Sequence, residues 1–121
     1  MRMPEPSPAR LLPALALLAF GWTLPAQAAS FPCDKAATPD ETAICAHMPL
    51  NDLDVEMAVR FEILKDVLPM GGRGKLREDQ EDWLKERRTC GADTACLKGL
   101  YEARLKVLRA VQSEFSKQGP Q

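Results

Sequence analysis

The sequence predicts an all-α fold: a small disulfide-stapled bundle of one short and three longer helices. Three observations predict it. Apolar residues recur at spacings of three and four along three long segments. Capping residues and prolines bound those segments. No stretch longer than about four residues alternates with the period of two that a strand requires.

The first helix opens with Thr38-Pro39-Asp40-Glu41, a Thr-x-x-Glu capping box with proline at the first helical position. It runs from Pro39 to Ala46 and stops ahead of Pro49. The second is expected to start at Asn51 as N-cap, with Asp52 and Asp54 in its positive first turn. Leu53, Met57, Phe61, Leu64 and Leu68 form its apolar stripe, and Pro69 ends it. Gly71-Gly72-Arg73-Gly74 reads as a loop. The third helix, Lys75 to Arg88, carries Leu76, Gln80, Trp83, Leu84 and Arg87 on one side. Glu78, Asp79, Glu81 and Asp82 fall away from that side. The fourth, Asp93 to Phe115, lines up Leu97, Leu100, Tyr101, Leu105, Leu108, Val111 and Phe115. Residues 30–118 form the domain, and 119–121 a frayed tail.

Residues 1–29 read as a cleaved secretory signal. Arg2 and Arg10 precede the uncharged apolar run Leu11 to Leu24, and Ala26-Gln27-Ala28 is a small-x-small cleavage site. The mature chain then begins near Ala29 or Ser30. A membrane anchor is the alternative, but a span needs about 20 apolar residues, and Pro13 and Gly21 interrupt this run. No cysteine stands at the cleavage point, so no stable membrane anchor is expected after cleavage. The expected location is the periplasm or outside the cell.

The 121 residues allow one domain. With 45% apolar and 27% charged residues the chain has the composition of a folded domain. The net charge of −1 becomes −2 once Arg2, Arg10 and Glu5 are removed. Nothing there favours nucleic acid, which needs a basic excess to neutralise phosphates. A mature domain this small buries a modest fraction of its surface and is of the size that uses covalent staples.

Cys33 and Cys45 flank the first helix, and Cys90 and Cys96 flank the turn between the third and fourth. Four cysteines allow three connectivities, of which local pairing is the simplest. Each local bridge would contribute about 2–3 kcal/mol in the chain-entropy model. Neither pair has the CxxC spacing of a redox site, and the single His47 makes a zinc site a poor reading. No metal and no cofactor is expected.

Three polar residues fall on apolar faces: Gln80 and Arg87 on the third helix, Arg104 on the fourth. A guanidinium aimed at a core is costly unless it is paired. Glu41, Asp54 and backbone carbonyls near Cys90 are the candidate partners, with Trp83 or Tyr101 stacked on an arginine. The alternative is a charged cleft between splayed helices.

In order, the mature chain reads F-x-C-x-K-A-x-T-x-x-E-x-A-I-C (Phe31 to Cys45), L-x-x-L-D (Leu50 to Asp54), Q-x-x-W-L-x-x-R-x-x-C (Gln80 to Cys90) and C-L-x-x-x-Y-x-x-R (Cys96 to Arg104). This resembles the lysozyme-inhibitor LprI-like domain family of small exported bacterial proteins, from Phe31 to about Leu108. The resemblance implies an all-helical fold, the two local disulfides and export. It also implies a protein partner, c-type lysozyme or another cell-wall hydrolase, and it supplies no inhibitory residues.

Lysozyme is basic, with a carboxylate-lined cleft. Glu78, Asp79, Glu81 and Asp82 offer an acidic face for its rim, and Arg73 in a glycine-rich tip offers a probe for the cleft. The second reading is an envelope interaction protein with another partner. The third, an enzyme, lacks a visible nucleophile–base pair. A monomeric, non-enzymatic binding module is expected.

Overall fold

The computed structural model describes residues 2–4 and 29–119. The predicted leader therefore lies outside the described residues except at its edges, and of the predicted tail only Gly119 is described. A short 3-10 turn, Cys33–Lys35, precedes four helices: α1 (Pro39–Ala46), α2 (Met48–Val67), α3 (Met70–Thr89) and α4 (Thr94–Lys117). No strand occurs among the described residues. No described helix is long and apolar enough to cross a membrane.

α1 forms where its cap predicts. Glu41 accepts hydrogen bonds from the backbone N–H of Ala37 (2.8 Å) and Thr38 (3.3 Å), and Pro39 occupies the first turn. The helix ends on His47, whose extended backbone also starts α2, so a single residue separates the two helices.

Two boundaries differ from the sequence expectation. α2 starts at Met48 rather than at Asn51, because Pro49 is accommodated within the first turn, where its missing N–H costs nothing. Asn51 is consequently buried inside the helix instead of capping it. The second correction concerns Gly71-Gly72-Arg73-Gly74, which is helix and not loop. Leu68 is extended, as the residue before a proline prefers, and α3 begins immediately after Pro69. Arg73 N–H already bonds Pro69 C=O at 2.9 Å. Each glycine costs about 1 kcal/mol against alanine in a helix. Burial of Leu76, one turn on, rewards continuing the helix through these residues all the same.

α2 is the central element and touches the other three helices; α4 lies chiefly along it. Paired positions set the directions. Asp54 meets Tyr101 and Arg60 meets Gln112, so α2 and α4 run the same way. Trp83 meets Leu100 and Gln80 meets Arg104, so α3 runs against α4. The core is Ile44, Leu50, Met57, Leu64, Leu76, Trp83, Leu97, Tyr101, Leu105 and Leu108, with Ala29 and Ala43 at its margin. Each large aliphatic side chain buried there contributes about 1.5–3 kcal/mol.

Both disulfides are local. Cys33–Cys45 (Cα–Cα 5.8 Å) ties the N-terminal segment to the end of α1, and Cys90–Cys96 (5.6 Å) closes the α3–α4 corner. Gly91 turns that corner with φ +55°, a left-handed conformation that side chains other than glycine adopt at a cost. Asp93 caps α4 by accepting from the N–H groups of Ala95 and Cys96, both at 3.1 Å.

Candidate functional site

The polar residues on apolar faces divide into two buried sets. In the first, Arg87 of α3 donates from Nε to Oδ2 of Asp40 at 2.8 Å. Its Nη1 lies 3.5 Å from the Tyr101 hydroxyl and 3.8 Å from Oδ1 of Asp54. Tyr101 in turn donates to Asp54 Oδ1 at 2.7 Å. Four helices thus meet in one hydrogen-bonded group, each supplying one member. Asp40 and Asp54 are wholly buried and Arg87 is 5% exposed.

Aromatic rings cover this arginine. Its guanidinium carbon sits 5.7 Å from the Phe31 ring centre and 6.0 Å from that of Trp83. Trp83 packs edge-on to Tyr101 at 5.0 Å and anchors its indole N–H on Leu100 C=O at 3.2 Å.

Burial raises the Tyr101 hydroxyl far above its ordinary value, and the adjacent Asp54 charge adds to this. Burial also pushes the Asp40 carboxyl up, but hydrogen bonds from Thr38 and Arg87 and the Arg87 charge outweigh it and hold Asp40 below the usual range. Tyr101 therefore stays a hydrogen-bond donor and Asp40 stays ionised. The group is a buried hydrogen-bonded lock between the four helices.

Glu41 is corrected as the arginine's partner. Its carboxylate is held by the backbone N–H groups of Ala37 and Thr38, which lower its pKa. The carboxylate on Arg87 is Asp40, one residue earlier, which sequence reasoning passed over. The signal was available: Asp40 stands three and four residues before the buried Ala43 and Ile44, hence on the core side of α1.

The second set is Arg104, Gln80 and Met57. Arg104 Nε donates to Gln80 Oε1 at 3.0 Å, and Gln80 Nε2 points at the Met57 sulfur at 3.0 Å. Arg104 is 6% exposed, has no carboxylate within bonding distance, and leaves its Nη2 buried without a partner. Burial lowers its pKa against the pull of Asp79. It lies at the base of a groove where α3 and α4 diverge, with Trp83, Leu100 and Val107 as apolar walls and Asp79, Asp82 and Glu86 at the edge.

The remaining sequence candidates lie outside these sets. Arg73 is not on a flexible tip. It is half-buried in the first turns of α3, with Nη2 3.4 Å from Leu68 C=O. Glu78, Asp79, Glu81 and Asp82 do lie along one exposed stretch of α3, but Lys75 pairs with Asp79 and Lys85 with Asp82 at 2.8 Å. The structure also presents a surface the sequence reading missed. Val55, Val59, Ile63 and Val67 follow one another at four-residue spacing on the outer side of α2, each at least 40% exposed, with Met48 at 68%. Asp52, Glu62 and Asp66 stand among them.

Among the described residues no group of three or more metal-binding side chains occurs. The profile of the family described as "Lysozyme inhibitor LprI" matches residues 33–117, which takes in both disulfides, the buried lock and all four helices. The chain belongs to the LprI family. Neither a curated protein nor a solved structure matches it. LprI is described as an inhibitor family rather than an enzyme family, and membership implies a protein as partner.

Proposed function

We propose that this LprI-family chain is an exported inhibitor of c-type lysozyme, acting as a rigid protein-binding module. Family membership supports the target class. The observation that carries a binding role is the outer face of α2. Isolated exposed apolar residues are ordinary, but four β-branched or valine-type side chains in register form a row about 18 Å long. The charged residues bordering this row are Asp52, Glu62 and Asp66 together with Arg60 and Lys65, of which Arg60 is paired with Glu56 and Lys65 with Glu62.

An apolar row accompanied by the exposed Asp52 and Asp66 complements a basic protein such as lysozyme. The acidic stretch of α3 is the weaker surface, because Lys75 and Lys85 neutralise half of it. Arg73 belongs to α3 and offers no flexible probe for the lysozyme cleft. The two disulfides and the buried lock favour affinity by presenting α2 in one conformation, which lowers the ordering cost of association.

The test is a lysozyme activity titration on bacterial cell walls with the oxidised protein. Dose-dependent inhibition, lost on reduction and lost in Val59→Glu without loss of helicity, is the expected result. No inhibition at large molar excess by a folded protein would discard lysozyme and leave an envelope interaction protein with another partner. Inhibition unchanged in Val59→Glu would move the interface off α2.

A further inference from the structure

The buried lock does not balance its charge. Asp40 and Asp54 contribute two carboxylates, both without exposed surface, against the single guanidinium of Arg87. Tyr101 adds a neutral hydroxyl. Glu41, the other acid near the group on α1, is satisfied by backbone N–H groups. One buried negative charge is left over, a costly arrangement unless a cation reaches it.

Arg87 bonds Asp40 Oδ2 and Tyr101 bonds Asp54 Oδ1, while Asp40 Oδ1 is buried without a hydrogen-bond partner. Asp54 Oδ2 faces the N-terminal segment instead. Its one donor among the described residues is the backbone nitrogen of Ser30, at 2.6 Å. Ala29, the preceding residue, is buried at 6% exposure against the core. These are the two residues at which the sequence expects the exported chain to begin.

We propose that Asp54 is the acceptor for the α-ammonium group created when the leader is removed, so that proteolytic processing supplies the missing cation. A processing peptidase hydrolyses the peptide bond ahead of Ala29 or Ser30 with one water. The leader departs with a new carboxylate, and the new amine takes up a proton at neutral pH. If Ser30 becomes first, its nitrogen is the atom already 2.6 Å from Oδ2. If Ala29 becomes first, the ammonium stands one residue before that nitrogen in the chain. The cut ahead of Ser30 turns this amide hydrogen bond into a part-buried ion pair and ties the mature N-terminus to α2, and the cut ahead of Ala29 keeps the amide bond and sets the ammonium next to it in the chain. The processed chain is then more stable than the same chain with its amine displaced or blocked. This inference is independent of which protein the mature chain binds.

The experiment starts from the full chain exported by a bacterial host. Intact mass of the recovered protein reads the first residue, and Ala29 or Ser30 is expected; a first residue elsewhere overturns the proposal. A variant with Gly-Ser-Gly inserted after Ala29 places the amine beyond reach of Asp54. Its melting temperature is expected to fall by about 5 °C or more, and the same insertion in an Asp54→Asn background is expected to change nothing. An insertion that leaves the melting temperature unmoved in the native background overturns the proposal. Where Asp54→Asn fails to fold, the acetylation rate of the native protein's α-amine against pH serves instead. A pKa well above the free-amine value of about 8 is expected, and an ordinary value overturns it.

Discussion

Arg87 of α3 and Asp40 of α1, 47 residues apart in the chain, form a 2.8 Å ion pair in which both side chains are at least 94% shielded from solvent. Such a pair contributes little net stability compared with apolar packing, but breaking it is expensive, because the survivor is left charged in a low-dielectric interior. Arg87→Leu strands two carboxylates and is expected to cost about 3–5 kcal/mol. Chemical denaturation checks this. A loss under 1 kcal/mol would mean that water reaches the group.

Arg104 predicts the opposite. It meets an amide rather than a carboxylate and keeps one buried nitrogen unpartnered. Arg104→Met removes the desolvation cost and is expected to change stability by less than about 1 kcal/mol, or to raise it. A loss as large as that of Arg87→Leu would show a strong partner for this guanidinium.

Acid should unfold the protein through α1. The carboxyl of Asp40 is held below its ordinary value of 3.8 and that of Glu41 below 4.5. A group with a depressed folded pKa stabilises the fold above its unfolded pKa and stops doing so as pH falls through the folded one. The melting temperature is therefore expected to begin falling below about pH 4.5 and to keep falling until Asp40 is protonated. Asp40→Asn should be less stable at neutral pH and flatter across this window. Parallel curves for the two proteins would remove Asp40 from the account.

The glycines separate by conformation. Gly71 and Gly74 are helical, and a Cβ on either meets open space, so Gly71→Ala and Gly74→Ala are each expected to stabilise by about 0.5–1 kcal/mol. Gly91 has positive φ, so Gly91→Ala is expected to destabilise by about 1 kcal/mol. Thermal melts decide this. Destabilisation by Gly71→Ala would mean that residues 71–74 are not helical in solution.

Much of the fold was legible along the chain because its causes are local. The capping box at Thr38–Glu41, the prolines at 39, 49 and 69, and the three- and four-residue apolar rhythm of the fourth helix depend on neighbours within a turn or two. The cysteine spacings are local as well, and both bridges form within one corner each. The misread stretch at Gly71–Gly74 shows the limit. Composition there favours a loop, and the burial of Leu76 within the same helix favours continuing it through these residues.

The sequence by itself determined the all-helical class, the capped start of α1, the end of α2 ahead of Pro69 and the cysteine-flanked corners, since each follows from short-range sterics and hydrogen bonding. The pattern also showed that Arg87 and Arg104 face inward. The tertiary structure alone decided what they meet. Arg87 finds Asp40, Asp54 and Tyr101 from three other helices, whereas Arg104 finds only Gln80. The helical period sets Val55, Val59, Ile63 and Val67 away from the stripe of Leu53, Met57 and Leu64, and the tertiary structure decided that no described helix covers them. A partner's identity depends on how helices cross, and burial depends on which side of α2 its neighbours occupy. Neither is written within a few residues of the chain.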